Sequence, residues 1–137
     1  MHENNIGTAI VNAAYQVHVR VGPGLLESAY QKCLIFELRS HGLEVLPEVE
    51  LPLKYRGKEI DCSYRLDMIV HNKVIVEVKS IDKLHDIHTA QLLTYLKLSK
   101  CRLGYLINFN VPKIKYGIKR VVNGLDYPQN PARANNN

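Results

Sequence analysis

The chain has no tryptophan, two phenylalanines and three cysteines in 137 residues. The cysteines (Cys33, Cys62, Cys101) are odd in number, far apart and without a CxxC pair. That excludes a disulfide framework or zinc knuckle as the organising device and predicts a reducing, cytoplasmic setting. No apolar run approaches the roughly 18–20 residues of a membrane span, so no membrane association is expected. The first residues, Met1-His2-Glu3-Asn4-Asn5, place an acid where a signal peptide carries bases, which argues against secretion. The six histidines show neither HxH nor HExxH spacing, so a zinc site is not supported. No helix-turn-helix or zinc finger is present, which leaves little means of reading base sequence.

What is present is the mix of a soluble globular protein, 46% hydrophobic and 23% charged, which excludes disorder of the whole chain. The length fits one domain. We expect it over 1–123, followed by a flexible polar tail over 124–137, where little can be buried. The 18 Lys+Arg against 13 Asp+Glu give a net charge of +5. An anionic partner is compatible with that excess but not demanded by it.

The apolar spacing predicts a helix over 6–19, closed by Gly22-Pro23-Gly24, and a second over 25–40 with Leu26, Ala29, Cys33 and Phe36 on one stripe. From Val45 the period changes to two. Pro47 and Pro52 confine that strand to an edge or to bulged stretches. Arg56-Gly57-Lys58 reads as a turn. Strands over 64–70 and 74–79 flank His71-Asn72-Lys73; a helix over 85–99 and a strand over 103–109 follow. Residues 111–122 add an edge strand or a short helix. The order α-α-β-β-β-α-β predicts a mixed α/β sandwich rather than a regular βαβ repeat.

The pair of strands around 71–73 carries the most chemical information. With a three-residue loop, 70 faces 74, 68 faces 76 and 66 faces 78. Leu66, Met68, Val70, Val74, Val76 and Val78 then share one apolar face. The same register sets Asp67 opposite Glu77, with Lys79 two residues further along that face. Carboxylates so placed have Cβ atoms about 4.5–5.5 Å apart and repel one another. A divalent cation such as Mg²⁺ would offset the repulsion, being bound by one or two carboxylates plus substrate phosphate. Lys79 would stand beside it, able to orient or deprotonate a water or to stabilise developing charge. A lone Glu-x-Lys on a strand is ordinarily a surface salt bridge of little worth. Here the opposed aspartate and the apolar reverse face favour the functional reading.

Asp67 followed by Glu77-Val78-Lys79 resembles the signature of the PD-(D/E)xK nuclease superfamily, although Leu66 stands where a proline is usual. Gly24-Leu25-Leu26-Glu27-Ser28-Ala29-Tyr30 resembles the motif of its GxxExxY group. Gln91-Leu92-Leu93-Thr94-Tyr95 resembles the QxxxY motif of exonuclease-like members. The resemblance spans about 6–122. It implies a restriction-endonuclease-like core with a four- to five-stranded mixed sheet flanked by helices. It also implies a Mg²⁺- or Mn²⁺-dependent nuclease. Asp67 and Glu77 would hold the metal with help from Glu27, Lys79 would act on the water, and Gln91 and Tyr95 would support them. Tyr30 is expected to pack or hydrogen-bond rather than catalyse, and His88 is a weaker candidate ligand or base on the Gln91–Tyr95 helix face.

No acid occurs between Asp86 and Asp126, while Lys97, Lys100, Arg102, Lys113, Lys115, Lys119 and Arg120 do. With Arg65, these cations are the expected contacts to a nucleic acid, DNA first. The competing expectation is a catalytically weak or inactive nuclease-fold subunit that binds nucleic acid or serves assembly. An enzyme on a small phosphorylated or nucleotide substrate stands third. Exonuclease action by so small a domain would call for a homo-oligomer, and target choice for a protein partner.

Overall fold

His2 opens the first helix by accepting the amide N–H of Asn4 on its Nδ1 at 3.0 Å, supplying one of the partners a helix N-terminus lacks. In this computed structural model, whose described residues are 1–125, that helix, α1, spans Glu3–Val21. Ile6, Ile10, Ala13, Ala14 and Val17 form its buried stripe. After the Gly22-Pro23-Gly24 break, α2 spans Glu27–Ser40. Its buried residues are Tyr30, Leu34 and Leu38. The expected stripe is corrected in part: Leu26 and Phe36 are 75% and 72% exposed. Cys33 packs only partly against the core. Tyr30 decides the rotation of the helix, since its ring stacks on Phe109 with centroids 4.5 Å apart.

Five strands follow in spatial order β1-β2-β3-β4-β5. They are β1 Val45–Tyr55, β2 Lys58–Val70, β3 Val74–Lys79, β4 Leu103–Asn108 and β5 Ile118–Val122, with α3 (Asp86–Ser99) between β3 and β4. Only β3 and β4 pair in parallel, because α3 supplies the crossover a parallel pair needs. β1 is an edge strand, as its prolines require. Residues 111–122 hold both a 3₁₀ turn at Ile114–Tyr116 and the edge strand β5. The sheet separates two cores. Met68, Val70, Val74, Val76 and Val78 pack with α1 and α2, and Ile69, Ile75 and Leu106 pack with Leu92 and Leu96 of α3.

Two features depart from the sequence pattern. β2 begins at Lys58 rather than 64, because Arg56 and Gly57 (φ 53° and 79°) make a tight hairpin turn. In addition, Leu66 packs on the α3 side, away from Met68. β1 changes sides in the same row: Val45 lies in the α1–α2 core, whereas Val49 packs against the α3 core. The reversal falls at Glu48 and Asp67, between the paired rows Pro47–Met68 and Val49–Leu66. Glu48 takes a left-handed φ of 53° there.

The expected tail lies outside the described residues from 126 onward, while Leu125 is buried in the α1–α2 core. Among the described residues, no helix is long and apolar enough to cross a membrane. Gly117 lies where a Cβ would run into the Asn108 carbonyl oxygen, and its own carbonyl accepts the Asn108 N–H at 2.8 Å. Gly117→Ala is expected to cost about 2–3 kcal/mol through backbone displacement, read as a lower urea midpoint with unchanged slope.

Candidate active site

The regular β2–β3 pairing covers residues 68–70 against 74–76, in the register the sequence predicts. Where it ends, side chains take over. The Asp67 N–H donates to the Glu77 carboxylate at 2.8 Å, and the Val78 N–H donates to the Asp67 carboxylate at 2.7 Å. Each acid therefore satisfies a backbone donor that the parting strands leave without a ladder partner. These bonds use Glu77 Oε2 and Asp67 Oδ2, and each carboxyl retains a second oxygen for another ligand.

Burial is the largest influence on both acids. It pushes Asp67 above its ordinary value, and Glu27 and Glu48 add to the rise; the Val78 amide and Lys79 oppose it. Glu77 is buried on the α3 side of β3. Its burial and the neighbouring Asp67 charge push it up to about 8. With both charged, the two acids repel across a partly desolvated site, and the nearby Lys79 charge opposes the rise without cancelling it.

Several other predicted residues converge here. The Lys79 ammonium, on the last residue of β3, acts on Asp67, Glu77 and His88. Glu27, exposed in the first turn of α2, is close enough to influence Asp67 and His88. Tyr95 of α3 leans against Tyr64 of β2, with ring centroids 5.5 Å apart. Burial, then the facing Glu77 carboxylate, raises its pKa and keeps the phenol protonated. Gln91 lies exposed on α3, between His88 and Tyr95. His88 has a helix-capping contact, its Nδ1 accepting the His85 N–H at 3.0 Å. Burial and the nearby Lys79 lower its pKa. Tyr30 donates to the Gly22 carbonyl and accepts the Leu25 N–H at 3.0 Å, pinning the loop that delivers Glu27. Tyr30→Phe should cost about 1–2 kcal/mol by leaving both partners unsatisfied, measurable by chemical denaturation.

The cationic run is continuous in sequence but divided in space. Since β4 starts beside Val74 and ends beside Lys79, α3 must run back along the sheet. That sets Lys97, Lys100 and Arg102 at the end remote from Lys79. Arg102 pairs with the buried Glu3 carboxylate at 3.1 Å, and Arg120 donates to Asn4 Oδ1 at 2.7 Å, so both anchor α1. Lys113 and Lys115 lie in the β4–β5 connection, at the Lys79 end of the sheet. Lys119 shares a row with Leu106 and Glu77, about 10 Å across two strand spacings from the acid. Arg65 pairs with Glu48 at 3.7 Å on the exposed surface.

Two supporting residues, Gln31 and Asn108, escaped the sequence reading. Gln31 Nε2 donates to the Glu48 carboxylate and to the Asp67 carbonyl, both at 2.9 Å, tying α2 to the row where both strands reverse. Asn108 is buried, accepts the Ile81 N–H at 3.1 Å and donates to the Ile81 carbonyl at 2.9 Å, which fixes the chain just after Lys79. None of these contacts has a periodic signature; the only hint for Asn108 was a polar residue closing an apolar strand.

The model for the PD-(D/E)XK nuclease superfamily matches residues 4–121, and the chain belongs to that superfamily. No curated protein matches the chain. Among solved structures, the crystal structure of SSO0001 is similar at 23% identity, with 85% of this chain and 67% of that one covered and a TM-score of 0.46. Members of the superfamily generally use divalent metal ions. The donor set here suits such an ion: two adjacent carboxylates, each with an oxygen in reserve, in a site where their mutual repulsion is otherwise relieved by a proton. Among the described residues, no three His, Cys, Asp or Glu side chains form a ready-made cluster, so Glu27 stands near the pair rather than in it.

Proposed function

We propose that the chain is a divalent-metal-dependent nuclease of the GxxExxY group, hydrolysing phosphodiester bonds in DNA. The observation that carries this reading is the pair of buried Glu77 and half-buried Asp67 with the Lys79 ammonium beside it. Mg²⁺ or Mn²⁺ held by Asp67 and Glu77, with Glu27 assisting, would supply positive charge against the anionic phosphodiester. Lys79 orients the attacking water and offsets negative charge as it builds on the phosphate oxygens. Tyr95, kept protonated by its surroundings, and Gln91 donate hydrogen bonds from α3 to the substrate or its water. Lys113, Lys115 and Lys119 are placed to hold backbone phosphates, whereas Arg102 and Arg120 hold α1. Purified protein with Mg²⁺ or Mn²⁺ should nick or degrade DNA. Failure with both metals on single- and double-stranded DNA and RNA would overturn the proposal.

A further inference from the structure

Beyond the row of Glu48 and Asp67, β1 and β2 continue as a two-stranded arm. Residues 54–63 are exposed throughout. The arm leaves the sheet on the side of the site, because β2 runs from its tip directly to Asp67. Lys58 stands nine positions before Asp67, a reach of about 30 Å along an extended strand.

Its two faces differ in charge. Leu66 and Tyr64 face α3, as shown by the α3-side packing of Leu66 and the contact between Tyr64 and Tyr95. On β1 that face runs from Val49 and Leu51, which pack against the α3 core, by period two through Leu53 to Tyr55. Lys58, paired with Tyr55, lies on it too, and Tyr55 is 64% exposed. Glu59, paired with Lys54, lies on the opposite face, as does Glu50 through its pairing with Arg65. Between these rows the register shifts from Pro52–Ser63 to Lys54–Glu59, an irregularity over residues 60–62 of β2. The tip, Lys54-Tyr55-Arg56-Gly57-Lys58, holds three cations and no acid.

The sorting is functionally directional. Acids turned away from the site would spare a polyanion passing it, and an exposed tyrosine beside a lysine suits an unpaired base with its phosphate. We propose that the α3-side face of this arm binds an unpaired nucleic-acid strand and guides it to Asp67, with Tyr55 stacking on a base and Lys58 pairing with a phosphate. A duplex keeps its base faces stacked inside and cannot use Tyr55 in this way. The inference rests on the nuclease reading of the site, but its test requires no catalysis.

Binding of end-labelled oligo(dT), oligo(U) and a DNA duplex to the full chain should be followed by fluorescence anisotropy in EDTA. Tyr55→Ala with Lys58→Ala should weaken single-strand binding about tenfold or more and duplex binding much less. Tyr55→Phe should retain binding. Glu59→Gln, on the far face, should not weaken it. The two oligomers decide whether the strand is DNA, RNA or either. The proposal is overturned if the wild-type chain binds no single strand, or if Tyr55→Ala/Lys58→Ala leaves binding unchanged while circular dichroism shows a folded protein. It is also overturned if that variant instead dissociates a dimer seen by light scattering, which would make the face a contact between copies. Intact, arm-dependent binding without hydrolysis would refute the nuclease reading alone.

Discussion

Replacing Lys79 by alanine is expected to slow phosphodiester hydrolysis by about 10²–10³-fold while leaving the fold intact. The structural duties of this residue belong to its backbone. It pairs with Asn108 across the parallel strands, and its carbonyl accepts the Phe109 N–H at 3.0 Å. An alanine keeps both. What is lost is the ammonium, whose charge lowers the pKa of Asp67 and of Glu77. The two acids should then hold protons to higher pH. Residual activity of Lys79→Ala should therefore rise with pH over a range displaced upward from the wild type. Single-turnover rates from pH 6 to 9 would show it. Unchanged activity would remove Lys79 from the mechanism, and a loss without displacement would remove its charge from the tuning of the acids.

Glu77→Gln should stabilise the metal-free protein at high pH and not at low pH. Glu77 titrates near 8 in the folded chain against an ordinary value of 4.5. An acid whose pKa is raised by folding costs no stability below its unfolded value. The cost then grows as the pH rises from about 4.5 to about 8, where the buried group is forced to ionise. Gln removes that charge, its Oε1 can still accept the Asp67 N–H, and its Nε2 can donate to the Asp67 carboxylate. The gain at pH 9 should be about 2 kcal/mol, with little difference at pH 4.5, in urea denaturation with EDTA present. The same variant should lose hydrolysis. Equal stability of the two proteins at pH 9 would mean that Glu77 ionises freely in its site.

Much of the centre of the fold was legible because its signals are periodic. The alternation through Met68, Val70, Val74 and Val76 has one register that buries every apolar residue, and it is the register observed. The side of Leu66 was not legible, because strict alternation carries no sign of a reversal. That reversal depends on Glu48 in a left-handed conformation and on Gln31, 36 residues from Asp67 in sequence. The rotation of α2 was ambiguous for a different reason. Leu26, Ala29, Cys33 and Phe36 make a stripe as apolar as Tyr30, Leu34 and Leu38, and the stack of Tyr30 on Phe109 selects between them. Residues 58–63 alternate without a core to cover, so their strand left only a weak pattern. The cations from Lys97 to Arg120 looked like one band because sequence order hides the α3 crossover, which sends them to both ends of the sheet.

The central claim is that Asp67 and Glu77 form a divalent-cation site whose ligands surrender a proton on binding. Calorimetric titration of Mn²⁺ at pH 7, in two buffers of different ionisation enthalpy, tests it most directly. Saturable binding with release of about one proton is expected, since Glu77 holds its proton at that pH until a cation displaces it. Binding should vanish in Asp67→Asn. Mn²⁺ binding unchanged in Asp67→Asn, or no binding by the wild-type chain, would contradict it.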